Sequence, residues 1–236
     1  MNPNDPNVAL VEIVAERLGE ALCSEVVFVG GAIAGLLITD PAQPGIRPTQ
    51  DVDLLCDVAA LSDYHRIETR LRGRGFVQDM REGAPVCRWR VGDLAIDMMP
   101  TQESVLGFSN RWYPLASRFP EARALPSGRA IRMIRAPVFI ATKLEAFHGR
   151  GGGDFLASHD LEDLVAVIDG RGELQDECHQ SAPELRAYLT DQFTSLLRTP
   201  AFVDALPGHL PGDEASQRRF PGLIRRLQTL AGLSRT

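Results

Sequence analysis

The chain has 236 residues, 44% of them hydrophobic, and a formal charge of −6, so it has enough apolar material for a buried core in one domain or two small ones. The net acidity argues against indiscriminate binding to nucleic acid. No apolar run is long enough to cross a bilayer, and the N-terminal stretch MNPNDPNVALVEIVAERL lacks the basic-then-apolar order of a signal peptide, so a cytoplasmic protein with no membrane partner is expected.

The first element expected is an amphipathic helix over 7–22, with Val11, Val14, Leu18 and Leu22 at spacings of three and four. Val26 to Val29 then read as a strand that breaks into Gly30-Gly31, continues into an apolar helix-like segment, and reaches Asp51-Val52-Asp53-Leu54-Leu55 after a loop around Pro41 to Pro48. In an extended strand alternate side chains share a face, so Asp51 and Asp53 project together while Val52 and Leu54 point into apolar packing. Two carboxylates so placed repel unless a cation lies between them, and carboxylate oxygens suit a hard ion such as Mg²⁺. A glycine pair lets backbone approach a ligand closely, and the following helix N-terminus offers N–H groups to a phosphate. Together these point to a nucleotide.

Residues 60–73 predict a surface helix with Leu61, Tyr64, Ile67 and Leu71 as its apolar stripe. A strand over Val86 to Val91 follows, reversed at Gly92-Asp93 into Leu94 to Met99. In that partner strand Asp97 shares a face with Ala95 and Met99, and a lone charge in an apolar strand needs a partner or a purpose. Between Arg111 and Arg135 there are six arginines and one acidic residue, Glu121. This segment reads either as ordinary solvated arginines or as a patch for RNA or nucleotide phosphates. A second cluster, Arg218, Arg219, Arg225 and Arg226, reads the same way. Prolines at 114, 120 and 126 are expected to limit regular structure there before a short strand over Ile131 to Ile134.

Pro137 suits the first turn of a helix that Gly149 and Gly151 to Gly153 end. Ser158 is placed to cap a second helix over HDLEDLVAVIDG, with Leu161, Leu164, Val165 and Ile168 as its packing stripe. Beyond Gly172 the pattern is helical, around 182–198 and 215–232. The expected division is an α/β core over 1–135 and a helical region over 136–236. Cys23, Cys56, Cys87 and Cys178 show no metal-ligand spacing and read as reduced, buried thiols.

Gly30-Gly31, a helix, Asp51-Val52-Asp53 and a later Asp97 on a strand resemble the nucleotidyltransferase fold of the DNA polymerase β superfamily. Lys143 in APVFIATKLEAFHGRGGG, followed by SHDLEDLVAVIDGR, looks like the AbiEii/AbiGii-type nucleotidyltransferase toxins. The resemblance covers roughly residues 25–170. It implies an α/β (α+β) core with a mixed sheet, completed by a helical C-terminal part. It also implies that Asp51, Asp53 and Asp97 hold two Mg²⁺ or Mn²⁺ ions, with Asp97 helping to deprotonate the attacking hydroxyl. Gly30, Gly31, Lys143 and Asp160 or Asp163 would contact an NTP. The implied acceptor is the tRNA 3′ end, reached through the Arg111 to Arg135 segment, and the implied protein partner an antitoxin. Ala32 stands where many relatives carry serine, and the 19 residues between Gly31 and Asp51 exceed the usual interval.

Other readings compete. An antibiotic-type small-molecule adenylyltransferase shares the chemistry. A Rossmann-type dinucleotide-binding protein would use Val29-Gly30-Gly31 with Asp51, but the glycine spacing differs and Asp53 and Asp97 go unexplained. His159-Asp160 resembles a metal-dependent phosphohydrolase core without its other histidines. Asp160 is also a possible helix cap and Lys143 a possible snorkelling surface residue. Arg47 and Thr49 could reach phosphate or be plain loop polarity, and Trp89 and Trp112 could be core residues or base-stacking platforms. A catalytically silent binding module is disfavoured by the presence of all three carboxylates. Asp97 turned away from Asp51 and Asp53, or either of these buried against a permanent arginine, would contradict catalysis.

Overall fold

A computed structural model describes residues 5–43, 45–150 and 153–232. Pro44 of the expected loop and Gly151 and Gly152 of the expected helix break lie outside the described residues. In chain order the elements are α1 (Pro6–Cys23), β1 (Val26–Val29), a 3₁₀ turn (Gly31–Ile33), α2 (Ala34–Leu37), β2 (Asp51–Cys56), α3 (Leu61–Gly73), β3 (Val77–Gln78), β4 (Arg88–Val91) and β5 (Leu94–Pro100). They continue through α4 (Glu103–Leu106), α5 (Tyr113–Arg118), β6 (Glu121–Ala124), β7 (Ala130–Met133), α6 (Ala136–Arg150), α7 (His159–Gly170) and α8 (Leu174–His179), and end with α9 (Pro183–Leu197), α10 (Pro200–Ala205), α11 (Glu214–Gln217) and α12 (Phe220–Leu230). Among the described residues no helix is long and apolar enough to cross a membrane. The fold is therefore mixed α/β with a helical C-terminal part, as the pattern of elements predicts.

Two compact units emerge. The first joins Asn2–Ile33 to Pro48–Arg135, and the second joins Ala34–Arg47 to Ala136–Thr236. All seven strands belong to the first, in the order β3-β4-β5-β2-β1-β7-β6. The sheet is mixed: β2 lies parallel to β5 and antiparallel to β1, β1 lies parallel to β7, and the pairs β4/β5, β3/β4 and β6/β7 are antiparallel. Its interior strand β1 is buried along its whole length, which accounts for the unbroken β-branched and aromatic run there.

Local chemistry sets the borders of this unit. Asp5 caps α1 by accepting from the Asn7 N–H at 2.9 Å, and α1 buries Val11, Val14, Leu18 and Leu22 as its spacing predicts. In α3, Tyr64, Ile67 and Leu71 are buried, but Leu61, the first residue of the helix, is 47% exposed. Val86 is also exposed and lies outside the strand expected to include it. The arginine-rich segment contains more regular structure than its prolines suggest. Pro114 occupies the first turn of α5, while Pro120 and Pro126 flank β6, so all three sit at element edges, where the missing N–H costs nothing.

The second unit is helical. Ser158 caps α7 by accepting from the Leu161 N–H at 3.3 Å, and Leu161, Leu164, Val165 and Ile168 are fully buried. Residues 34–47 join this unit through a set of polar ties. The N–H groups of Thr39 and Asp40 donate to the Gly170 carbonyl at 3.0 and 2.9 Å. Arg171 donates to the Leu37 carbonyl at 2.6 Å. Arg219 reaches Asp169 at 2.6 Å and both Asp40 and Gln43 at 2.7 Å, which lowers the pKa of Asp40. Arg226 donates to the carbonyls of Ile168 and Asp169 at the C-terminal end of α7, where a cation is favoured. Two of the four C-terminal arginines are thus spent inside the unit.

Candidate functional site

In the sheet unit, register decides which side chains share a surface. Parallel pairing of β2 with β5 sets Asp53 against Asp97 and Asp51 against Ala95. Neighbours in register point the same way, so Asp51, Asp53 and Asp97 occupy one face of two adjacent strands. Antiparallel pairing of β1 with β2 sets Val29 against Asp53, which brings the Gly30 turn to the end of the same row.

That turn is shaped by its neighbour. Gly30 has φ 71°, a conformation only glycine adopts cheaply, and a Cβ there would overlap the Asp53 carboxylate. The two demands together make Gly30 the only ordinary choice. The chain continues as a single 3₁₀ turn and a four-residue helix instead of the longer helix the apolar pattern suggests.

Sequence reasoning missed the cation of this face, Arg88. Antiparallel pairing of β4 with β5 sets Arg88 directly against Asp97. Its guanidinium donates to both Asp97 oxygens at 2.8 Å and also to Asp51 Oδ2. A forked guanidinium on a carboxylate is the strongest common geometry for such a pair. The hydrogen bonds that Arg88 donates to Asp97, and the charges of Asp97, Asp51 and Asp53, raise the Arg88 pKa against the opposing effect of partial burial. Asp51 is completed by the Thr49 hydroxyl, which donates to Oδ1 at 3.1 Å, while Asn7 accepts from the Thr49 N–H at 2.8 Å. The signal for Arg88 was in the sequence: counting outward from Gly92-Asp93, Val91 faces Leu94, and the fourth pair is Arg88 with Asp97.

Asp97 therefore faces Asp51 and Asp53, and it has an arginine partner. Asp51 pairs with the same arginine but keeps 30% of its side chain exposed, so it is not buried against it. Among the described residues no group of three or more His, Cys, Asp or Glu is arranged to hold a metal ion, and the guanidinium supplies the positive charge instead.

In the helical unit α6 and α7 bring Lys143, Asp160 and Asp163 together. Lys143 donates to Asp160 at 3.1 Å and to Asp163 at 2.6 Å, with its side chain 10% exposed. It is a buried, paired lysine and not a snorkelling surface one. Asp160 does not cap α7, because Ser158 does. Arg47 lies 3.2 Å from Glu162 and 3.9 Å from Asp163, beside a cleft of about 320 Å³ lined by Ile46, Leu156, Ala166 and His209 among others. His159 is largely exposed and pairs with Glu162, so no phosphohydrolase-like His-Asp arrangement forms.

The remaining candidates are placed as follows. Trp89 and Trp112 are buried core residues. Of the arginines over 111–135, Arg123 pairs with Glu121, Arg132 donates to the Ser24 carbonyl, and Arg111 and Arg118 stack on Trp112 and Phe119. The four cysteines are free and buried.

No protein-family model matches the chain, and no curated protein does. Among solved structures it is similar to JHP933 from Helicobacter pylori, with 13% identity and a TM-score of 0.47, covering 97% of this chain and 94% of that one. It is also similar to a protein described as "putative nucleotidyltransferase from H. pylori", with 14% identity and a TM-score of 0.45, covering 97% and 95%.

Proposed function

We propose that the chain is a nucleotidyltransferase that moves a nucleoside monophosphate from an NTP to an acceptor hydroxyl and releases pyrophosphate. The observation that carries this reading is the convergence of Asp51, Asp53 and Asp97 on one face of β2 and β5, beside a Gly30 turn whose conformation leaves room for Asp53. In the reaction the acceptor oxygen forms a bond to the α-phosphorus, the bond from that phosphorus to the bridging oxygen of the β-phosphate breaks, and the hydroxyl proton passes to a carboxylate. Asp97 is the proposed base. Asp51, oriented by Thr49, and Asp53 complete the acidic face.

Divalent ions, Mg²⁺ or Mn²⁺ and two by resemblance, are the proposed cofactor. When bound they would supply charge for the departing pyrophosphate. Asp51, Asp53 and Asp97 would be the residues that hold them, and the Arg88 guanidinium, which engages Asp51 and Asp97, would compete for the same oxygens. Gly30 and Gly31 are proposed to lie against the nucleotide phosphates. Lys143 with Asp160 and Asp163 is proposed as a nucleotide-contact group of the helical unit, supported by the burial of three charged side chains in one place.

The proposed acceptor is the 3′ end of an RNA, tRNA first, within a toxin–antitoxin pair in the cytoplasm. The exposed Arg111, Arg118 and Arg135 support an anionic acceptor. The test is incubation with each α-labelled NTP, Mg²⁺, and either total RNA or an aminoglycoside panel. Label in RNA is expected. Label in the small molecule alone moves the function to an antibiotic-type adenylyltransferase, and label in neither contradicts the reading.

A further inference from the structure

The cleft of about 320 Å³ in the helical unit has walls that the fold pins in place. One wall is the segment ending in Ile46 and Arg47, which Arg219 ties down at Asp40 and Gln43. Another is Gly208 to Pro211, where Gln217 Nε2 lies 3.0, 3.3 and 3.0 Å from the carbonyls of Pro207, Leu210 and Pro211. His209 Nε2 donates to the Phe155 carbonyl at 2.7 Å, which fixes this wall to the loop carrying Leu156. Leu156 is 69% exposed beside the cleft, and a side chain on Gly208 would press on it at 3.1 Å. Pinned walls, apolar faces and a volume at the small end of ligand cavities, about 300–1,000 Å³, fit a single flat ring system.

The polar groups at the cleft carry more carboxylate than cation. Asp163, with its side chain 4% exposed, gives Oδ2 to Lys143 and sets Oδ1 3.9 Å from Arg47 Nη2, too far for a direct hydrogen bond. Glu162 Oε2 lies 3.2 Å from Arg47 Nε. Lys143 is shared between Asp160 and Asp163, so in this group two cations meet three carboxylates and the formal charge is −1. An acidic surplus repels a polyphosphate and matches a ligand rich in N–H donors. We propose that the cleft takes a nucleobase bearing an exocyclic amino group. Asp163 and Glu162 accept from its N–H groups, Arg47 donates to the neighbouring ring nitrogen or carbonyl oxygen, and Ile46, Leu156 and Leu210 cover the ring. Lys143 then acts by holding Asp163 in position and not by touching phosphate. Uracil fits worse, because it offers one N–H between two carbonyls, and a carbonyl turned towards a carboxylate leaves two acceptors facing each other. This inference rests on the nucleotidyl-transfer reading for the base being part of a donor NTP, and it gives the helical unit the choice among NTPs.

The experiment titrates the full chain with cytidine, adenosine, guanosine and uridine, none of which carries phosphate, and follows the methyl resonances of Ile46 and Leu156 by nuclear magnetic resonance. At least one amino-bearing nucleoside is expected to move both, with an affinity about tenfold or more above that of uridine. Ala166→Leu, which fills the cleft from α7 and leaves every charge in place, is expected to weaken that binding by about tenfold or more. No movement with any nucleoside, uridine binding as tightly as the others, or undiminished binding by a folded Ala166→Leu protein overturns the proposal. So does movement of these methyls by tripolyphosphate, which would make the group a phosphate site, or by an aminoglycoside alone, which would make it a site for aliphatic amines. Should Ala166→Leu fail to fold, the ranking of the four nucleosides on the wild type decides by itself. Transfer activity without nucleoside shifts at the cleft ends the base assignment and spares the transfer reading. Selective nucleoside binding in a chain that transfers no label does the reverse.

Discussion

The Asp53 carboxylate lies where a side chain on Gly30 would have to begin. One residue supplies an acidic group and the other supplies its absence of bulk, and the tight β1 turn exists in this form because both conditions hold. Gly30→Ala should therefore cost more than its positive φ alone predicts, about 2–4 kcal/mol against about 1 for conformation. Gly83→Ala is the control, since Gly83 has φ 79° but nothing within 4 Å of a new methyl group. Urea unfolding of both variants checks this. Equal losses would mean that Asp53 simply moves aside.

Arg88 and Asp97 should be energetically coupled. Each single change, Arg88→Met or Asp97→Asn, leaves a half-buried charge short of its partner, while the double change leaves neither. The expected coupling is about 1–3 kcal/mol in a double-mutant cycle of unfolding free energies. Simple additivity would show the fork to be a surface pair of little consequence.

Much of this architecture is readable from local sequence. The Ser158 cap, the α7 stripe and the β1 run are set by residues within a turn or two of one another, and alternation alone put Asp97 on the correct face of β5. What escaped was non-local. Arg88 acquires its role from a strand pairing, not from its neighbours in sequence. Residues 34–47 join the helical unit through Gly170, Arg171 and Arg219, more than a hundred residues away, which no single cut along the chain can express. The strand β7 is legible over Ile131 to Ile134, but its partner β6 is masked by Pro120 and Pro126, which look disruptive until they are placed at its edges.

Lys143→Met should be strongly destabilising, by about 3–5 kcal/mol, because it removes the cation between the buried Asp160 and Asp163. Returning the cluster to its original net charge by Asp160→Asn in the same chain should recover part of the loss. Thermal melts of the three proteins check this. A Lys143→Met variant as stable as the wild type would contradict the buried triad.

Alkaline pH should weaken the fold through its thiols. Burial raises Cys23 from its ordinary 9.0 to about 11, and Cys56, Cys87 and Cys178 to about 12. A raised folded-state value means the unfolded chain ionises first. The stabilising contribution is complete below about pH 9 and is lost as pH rises towards 11 to 12. Unfolding free energy measured across this range should fall. At pH 8 the native thiols should resist a disulfide reagent that titrates all four in denaturant.

The acidic face as the seat of nucleotidyl transfer is tested most directly by Asp53→Asn, assayed against the wild type for Mg²⁺-dependent transfer of α-labelled nucleotide with the unfolding midpoint measured in parallel. Activity lower by about a hundredfold or more, at a midpoint close to that of the wild type, is the predicted result. Undiminished transfer by a folded Asp53→Asn protein would place the chemistry elsewhere.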